Sequence, residues 1–349
     1  MKNFLFFLIL LNACNCSSIE PLAYNPNQAP EMVGVLTENY RLTKAELIAQ
    51  GKIIGPEGLD LDSFGNIYAA TADGSIYKIK QNSNEPILFA RTGGRPLGIQ
   101  FDNNGNLIVC DAYKGLLSLD KHGKITDLTT TSEDGIPFKF TDDLDISKDG
   151  TIYFTDASFK YQQTEYLYDL MEAKPHGRLL KYDPKTKTTS TLLKDLYFAN
   201  GVALSKNEEF LLVNETYRYR ITRFWLKGPK KGTSDIFIDN LPGFPDNISR
   251  GSDGNFYLAL FTVRNQTMDK MHPSPWKKKV VASLPKFLWP KPQPFGFVAK
   301  ISMEGKIMET YQDPSGEHLK EITHAVERDG YLYLGSLHND RIGKFKLNN

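Results

Sequence analysis

Cysteine is almost missing from this sequence: 3 in 349 residues. Cys14 and Cys16 fall in the N-terminal segment, so Cys110 stands alone in the body of the chain and a disulfide framework is excluded. Excess charge is missing too. Lys and Arg number 42 against 41 Asp and Glu, a net charge of +1, which leaves no electrostatic footprint for nucleic acid. The apolar run 4–11 is too short to span a bilayer as a helix. No G-x-S-x-G elbow, H-E-x-x-H helix or phosphate-binding glycine loop occurs, so serine-hydrolase and zinc-protease readings have no support.

What the chain does contain is a repeated turn and a repeated position before it. Short β-branched and aromatic runs bounded by Asp, Asn and Gly read as strands and turns. Successive turns at Gly65, Gly105 and Gly150 are 40 and 45 residues apart (105−65 and 150−105), the period of a propeller blade. Eight residues before Gly65, Gly105, Gly150, Glu208 and Gly254 stand Glu57, Leu97, Asp142, Asn200 and Asp246. A sixth unit has the shorter turn Asp329-Gly330 and puts His324 six residues back. Side chains in a strand alternate between faces, so an equal and even offset places these positions on equivalent faces. In a radial arrangement they converge on one axis. The fold expected is therefore all-β: a six-bladed β-propeller over residues 51–349 with a central metal site.

The converging residues suggest their chemistry. Glu57, Asp142, Asn200 and Asp246 bring carboxylate and amide oxygens together, the donor set of a hard cation such as Ca2+. Buried carboxylates without such a cation would be costly. Asn247 is equally an additional ligand or a turn amide. Asp143 faces the other way and reads as a structural hydrogen-bonding acid; Asp60, Asp62 and Asp145 read as strand or turn acids. Histidine binds calcium poorly but is a good base near neutral pH, so His324 is a catalytic candidate beside Asp246, with a hydrogen-bonded core role as its alternative.

Three segments lie outside the repeat. Lys2 followed by the apolar run marks residues 1–16 as an export signal. Within it Leu11-Asn12-Ala13-Cys14 resembles a bacterial lipobox, so membrane attachment through Cys14 is expected alongside plain secretion. Residues 17–50 read as a polar tether and a short helix, opened by the capping box Thr43-Lys-Ala-Glu46 and ended near Gly51. The insertion 271–297 mixes lysines with Trp276, Leu284, Phe287, Leu288 and Trp289. It reads as a helix and a Pro-rich arm across one end of the ring: a pocket lid, a membrane-surface contact or a packed connector.

Several stretches carry a family resemblance. Gly55-Pro-Glu57, Thr71-Ala-Asp-Gly74, Gly94-Arg-Pro-Leu-Gly98, Asp111-Ala-Tyr-Lys-Gly115, Ile152-Tyr-Phe-Thr-Asp156, Asn200-Gly201, Pro242-Gly-Phe-Pro-Asp-Asn-Ile248 and Asp329-Gly-Tyr-Leu-Tyr-Leu-Gly-Ser336 span nearly the whole exported part. The chain resembles the strictosidine synthase-like family of six-bladed propellers, which includes the adipocyte plasma membrane-associated proteins. More distant relatives by fold are paraoxonases, gluconolactonase/regucalcin and diisopropylfluorophosphatase. The resemblance implies calcium held by Glu57, Asn200 and Asp246, with Asp142 at a further position. It implies a calcium-dependent hydrolase of arylesterase or lactonase type, acting on an apolar ester or lactone. Asp142 stands where the adipocyte proteins carry Asn, adding negative charge to the site. Their paired cysteines between the first two blades are absent here. Gly316-Glu-His-Leu319 resembles the segment that carries the plant synthase's glutamate, but sits three residues further from the Asp-Gly turn. A condensing enzyme using Glu317, and a non-catalytic envelope propeller with structural calcium, are the alternatives.

Overall fold

Local turn chemistry builds the blades. In the computed structural model, which describes residues 19–347, Asp62 Oδ1 accepts the N–H groups of Phe64 (3.0 Å) and Asn66 (2.9 Å). Asp102 does the same for Asn104 and Asn106, both at 2.8 Å. Gly65, Gly105, Gly150 and Gly254 close their turns with φ between +75° and +90°, a region open to glycine at little cost. Glu208 occupies it in the fourth unit, at φ 54°.

The linked strands pair as six antiparallel sheets of four strands each. Blades 1 to 6 have as inner strands Leu59–Leu61, Pro96–Phe101, Thr141–Ile146, Ala199–Leu204, Gly243–Arg250 and Ile322–Arg328. Each inner strand packs on the next, and that of blade 6 on that of blade 1, so the ring is closed. Inner and second strands are almost entirely buried, whereas outer strands such as Pro86–Arg91 and Ile125–Thr129 are largely exposed. Apolar clusters fill the spaces between neighbouring blades.

The inner strands approach so closely that two positions require glycine. A Cβ on Gly58 would lie 1.9 Å from Leu97 O, and one on Gly201 would lie 2.5 Å from Asn247 Cα. Carboxylates then bridge blades. Asp60 accepts from Phe101 N (2.7 Å), Asp143 from Val202 N (3.1 Å) and Asp145 from Leu204 N (2.7 Å), the structural roles expected of these acids.

The N-terminal part departs from expectation. No short helix follows Thr43: Arg41–Lys44 is a 3-10 turn, and Glu46–Ile48 is a strand. It pairs with Ile342–Lys346 in the register Glu46↔Lys344 and Ile48↔Ile342 and completes blade 6. An otherwise unpaired strand edge supplies backbone partners that a local capping box cannot match. Nor are residues 19–45 a tether. Leu22 N bonds Glu172 O (2.9 Å), Tyr24 N bonds His272 O (3.0 Å), Arg264 Nη2 bonds Asn27 O (2.7 Å) and Thr310 Oγ1 bonds Val35 O (3.0 Å). This strap is held by blades 3 and 5 before it enters the sheet of blade 6. The export-signal and lipidation expectations for residues 1–16 and Cys14 lie outside the described residues.

Insertions in blades 3 and 5 rise over one end of the ring. They carry helices α1 (Tyr166–Glu172), α2 (Gln266–Met271) and α3 (Pro275–Ser283), and α1 packs on α3. Among the described residues, no helix is long and apolar enough to cross a membrane.

Candidate functional site

One side chain from each blade meets at the ring axis. Glu57, Leu97, Asp142, Asn200, Asp246 and Thr323 together line a pocket of about 1030 Å³ including its open mouth. In blades 2 to 6 the pairing register slips where these residues stand, between Pro96 and Ile99, Thr141 and Leu144, Ala199 and Val202, Pro245 and Ile248, and Ile322 and His324. Each slip is a bulge, and a bulge re-aims the side chains it carries. Polar groups of adjacent blades clamp the bulged backbone. Thr155 Oγ1 donates to Asn200 O (2.7 Å), Thr216 Oγ1 to Pro245 O (2.7 Å) and Thr323 Oγ1 to Glu57 O (3.0 Å); Asn214 Nδ2 donates to Asp246 O.

Five of the six converging positions are thus where the turn offset put them. The sixth is not. His324 faces away from this pocket, into a polar cavity nearer the turns that it shares with Asp60, Asp143 and Asp145. Its Nδ1 accepts the N–H of Leu59 at 3.1 Å, joining blade 6 to blade 1. Blades 2 to 5 carry the same one-residue bulge, so the difference lies in the turn: with the shorter Asp329-Gly330 turn the axis position is seven residues back, at Thr323, not six. Burial lowers the His324 pKa to about 4, so the ring is neutral at pH 7, as an acceptor Nδ1 requires. His324→Ala is therefore expected to leave an N–H unpaired and cost about 1–3 kcal/mol of stability, as denaturant melts will test. Its folded pKa lies below the unfolded value, so its contribution is present above pH ~6.5 and lost as pH falls through about 4. Glu317, the condensing-enzyme candidate, is exposed and outside the pocket lining.

The pocket floor is acidic and short of partners. Burial raises the carboxyl pKa of Glu57, Asp142 and Asp246; repulsion from Glu57 adds to the rise at Asp142 and Asp246, and Asp246 adds to it at Asp142. Asp143 adds further negative charge, and the cation that opposes it is buried Arg95, beside Glu57. Asn247 Nδ2 donates to Glu57 Oε1 at 3.2 Å, which gives Asn247 a place at the site. Asp246 is held by the Asn200 side chain and the Asn247 N–H. Even so, Glu57 Oε2, Asn200 Oδ1 and Asn247 Oδ1 are buried without a hydrogen-bond partner, a condition native proteins rarely leave uncompensated. Among the described residues, no group of three or more His, Cys, Asp or Glu forms a ready-made metal cage. The set is completed by amides, and its donors are oxygens throughout, which suits a hard cation rather than a thiophilic one.

Above the floor the walls are apolar: Phe140, Phe198 and Phe244 from the blades, Leu170 and Met171 from α1, and Trp289 from the arm that follows α3. Arg95 and Thr323 had no sequence signal of their own. Arg95 follows from its place two residues before Leu97, and Thr323 becomes visible only when the pairing above the shorter turn of blade 6 is known.

Relatives match this framework over almost its whole length. The adipocyte plasma membrane-associated protein of Rattus norvegicus is 37% identical over 357 residues, covering 95% of this chain and 93% of the relative. Strictosidine synthase-like 6 of Arabidopsis thaliana is 37% identical over 312 residues, covering 88% and 82%. The chain belongs to the strictosidine synthase-like family. The family profile "Strictosidine synthase" matches residues 142–229, which carry Asp142 and Asn200, and "Strictosidine synthase-like, N-terminal" matches residues 34–79, which carry Glu57. Among solved structures, a gluconolactonase from Xanthomonas campestris has a TM-score of 0.64 at 15% identity, covering 95% of this chain and 98% of its own. A calcium-binding regucalcin from Agrobacterium tumefaciens has 0.62 at 12% identity, covering 86% and 93%. These two likenesses concern the fold.

Proposed function

We propose that this strictosidine synthase-like protein is a calcium-dependent hydrolase of apolar esters or lactones. The observation that carries the reading is the floor of buried, partnerless carboxylate and amide oxygens beneath apolar walls. Glu57, Asp142, Asn200 and Asp246 would hold the ion. Bound calcium would supply positive charge against the substrate's carbonyl or phosphoryl oxygen and the oxyanion that develops there. The gluconolactonase and regucalcin folds are consistent with such a role.

The chain's own residues do the rest. Asp246, its carboxyl pKa raised by burial and by Glu57, is the base that takes a proton from the attacking water. Phe140, Phe198 and Trp289 bind the apolar part of the substrate and exclude bulk water. No histidine lines the pocket, and this favours a second reading in which the ion only closes the ring and the pocket binds a ligand without turnover. Elemental analysis of purified protein, combined with a panel of esters and lactones, separates the two. Calcium with turnover supports the hydrolase, calcium without turnover supports the binding role, and no metal overturns both.

Trp289 gives a sharper test of the pocket. Trp289→Ala should lower kcat/KM for long acyl or aryl substrates by about ten-fold and leave acetyl esters nearly unchanged. Equal loss across the series would remove Trp289 from substrate binding. Export to the cell envelope through residues 1–16 belongs to the same reading, and the relatives' plasma-membrane association is consistent with it. Cell fractionation and the mass of the mature N-terminus test export and Cys14 lipidation.

A further inference from the structure

The arm over the pocket is built inside out for a protein surrounded by water. On α3, Lys278 and Ala282 face inward, and Lys278 Nζ donates to Leu22 O of the strap at 2.5 Å. Trp276 and Val280, one turn apart on the other side, are 66% and 51% exposed. Leu284, Phe287 and Leu288 continue this exposed apolar surface at 37%, 73% and 55%. Folding in water selects the opposite: lysine outward and tryptophan inward. The other large exposed apolar side chains are scattered over the molecule, whereas these five fall within the 13 residues 276–288.

Charge and chain path identify what covers this surface. Lys277, Lys279, Lys286 and Lys291 surround it, and the arm 271–297 contains no Asp or Glu. The chain also leads there from its N-terminus. Ile19 is buried in the cluster that includes Leu170 and Met171 of α1. Glu20 N bonds Glu172 Oε1 (2.7 Å), and Leu22 O receives Lys278 of α3. Cys14, the expected lipid attachment point, is joined to Ile19 by residues 15–18 alone, a reach of about 17 Å when extended. An apolar anchor at that point would turn the arm, rather than the opposite end of the ring, toward the bilayer.

We propose that the exposed side of this arm docks on an anionic lipid bilayer. Trp276, Phe287 and Leu288 enter the headgroup–acyl boundary, and the lysines meet acidic headgroups. Docking sets the pocket mouth, rimmed by Trp289 and Pro290, beside the lipid, so that apolar ligands reach it from the membrane. This surface is separate from the cation site and stands or falls independently of any hydrolysis.

The test is tryptophan quenching by acyl-brominated lipids, with the full chain reconstituted in phosphatidylcholine vesicles with or without phosphatidylserine. Of the 3 tryptophans, Trp225 and Trp289 are held in the folded body, so Trp276→Phe identifies the docking component. The expected result is quenching that depends on phosphatidylserine, loses its larger part in Trp276→Phe and falls about ten-fold in the exposed-site variant Lys277→Glu/Lys279→Glu. Quenching unchanged in Trp276→Phe overturns the proposal. Equal quenching without phosphatidylserine overturns its electrostatic part. Burial of Trp276 without vesicles, accompanied by a concentration-dependent doubling of mass, overturns it in favour of a second copy of the chain.

Discussion

Glu57→Gln and Asp246→Asn are each expected to abolish tight calcium binding and to lower ester or lactone turnover by roughly 10²–10³-fold, the usual loss when oxyanion stabilisation is removed. The effect is large because the site has few compensating groups. Burial raises all three carboxyls, Glu57 raises Asp142 and Asp246 further, and Arg95 opposes the charge of Glu57 and Asp142. A calcium concentration 100-fold above Kd should add about 2.7 kcal/mol to native stability, lost again on chelation. Without the ion, folded pKa values above the unfolded ones make the carboxyl contribution greatest at low pH. It is lost as pH rises through the folded values, about 7 for Glu57. The Tm of the metal-free protein should therefore fall between pH 5 and 8, and calcium should reverse the fall while releasing protons. Scanning calorimetry across that range with and without chelator is the measurement. A Tm indifferent to both calcium and pH would remove the ion from this site.

Gly201→Ala is expected to harm fold and site together. The added Cβ would lie 2.5 Å from Asn247 Cα and 2.6 Å from Asp246 O, so blade 5 must move away exactly where it presents Asp246. Overpacking of this kind costs about 1–3 kcal/mol, and the displaced Asp246 should weaken calcium binding in addition. Gly105→Ala is the control, since its Cβ would meet nothing within 4 Å although its φ is +78°. That variant should lose only about 1 kcal/mol through backbone strain and keep its calcium affinity. Denaturant melts and calcium titrations on the two proteins make the comparison. A Gly201→Ala protein with native stability and affinity would mean that blades 4 and 5 are not tightly packed at the axis.

Much of this arrangement could be read from the chain, because it is encoded locally. Each Asp or Gly turn sets its own hairpin, and the distance from turn to axis recurs in every blade that has the longer turn. Counting back from Gly65, Gly150, Glu208 and Gly254 therefore finds Glu57, Asp142, Asn200 and Asp246, all at the pocket floor. The paired acids at 142 and 143 also divided as alternation predicts, with Asp142 toward the pocket and Asp143 toward Val202 N.

The rest depended on partners distant in the chain. Thr323 rather than His324 stands at the axis because the pairing of Ile322 with Ser336 and of His324 with Gly335 sets the register above the short Asp329-Gly330 turn. The capping box at Thr43 yielded to a strand because Ile342–Lys346, some 300 residues later, offers an open edge. Whether a lysine or tryptophan of the arm faces outward was settled by the strap, whose Leu22 carbonyl draws Lys278 inward. Six units, their turns and the identity of the oxygens at the axis are written along the chain, since turn geometry acts over a few residues. Ring closure, the direction of His324 and the outward face of the arm arise on folding, because each is a competition between a local preference and a backbone or side-chain partner that folding brings from far away.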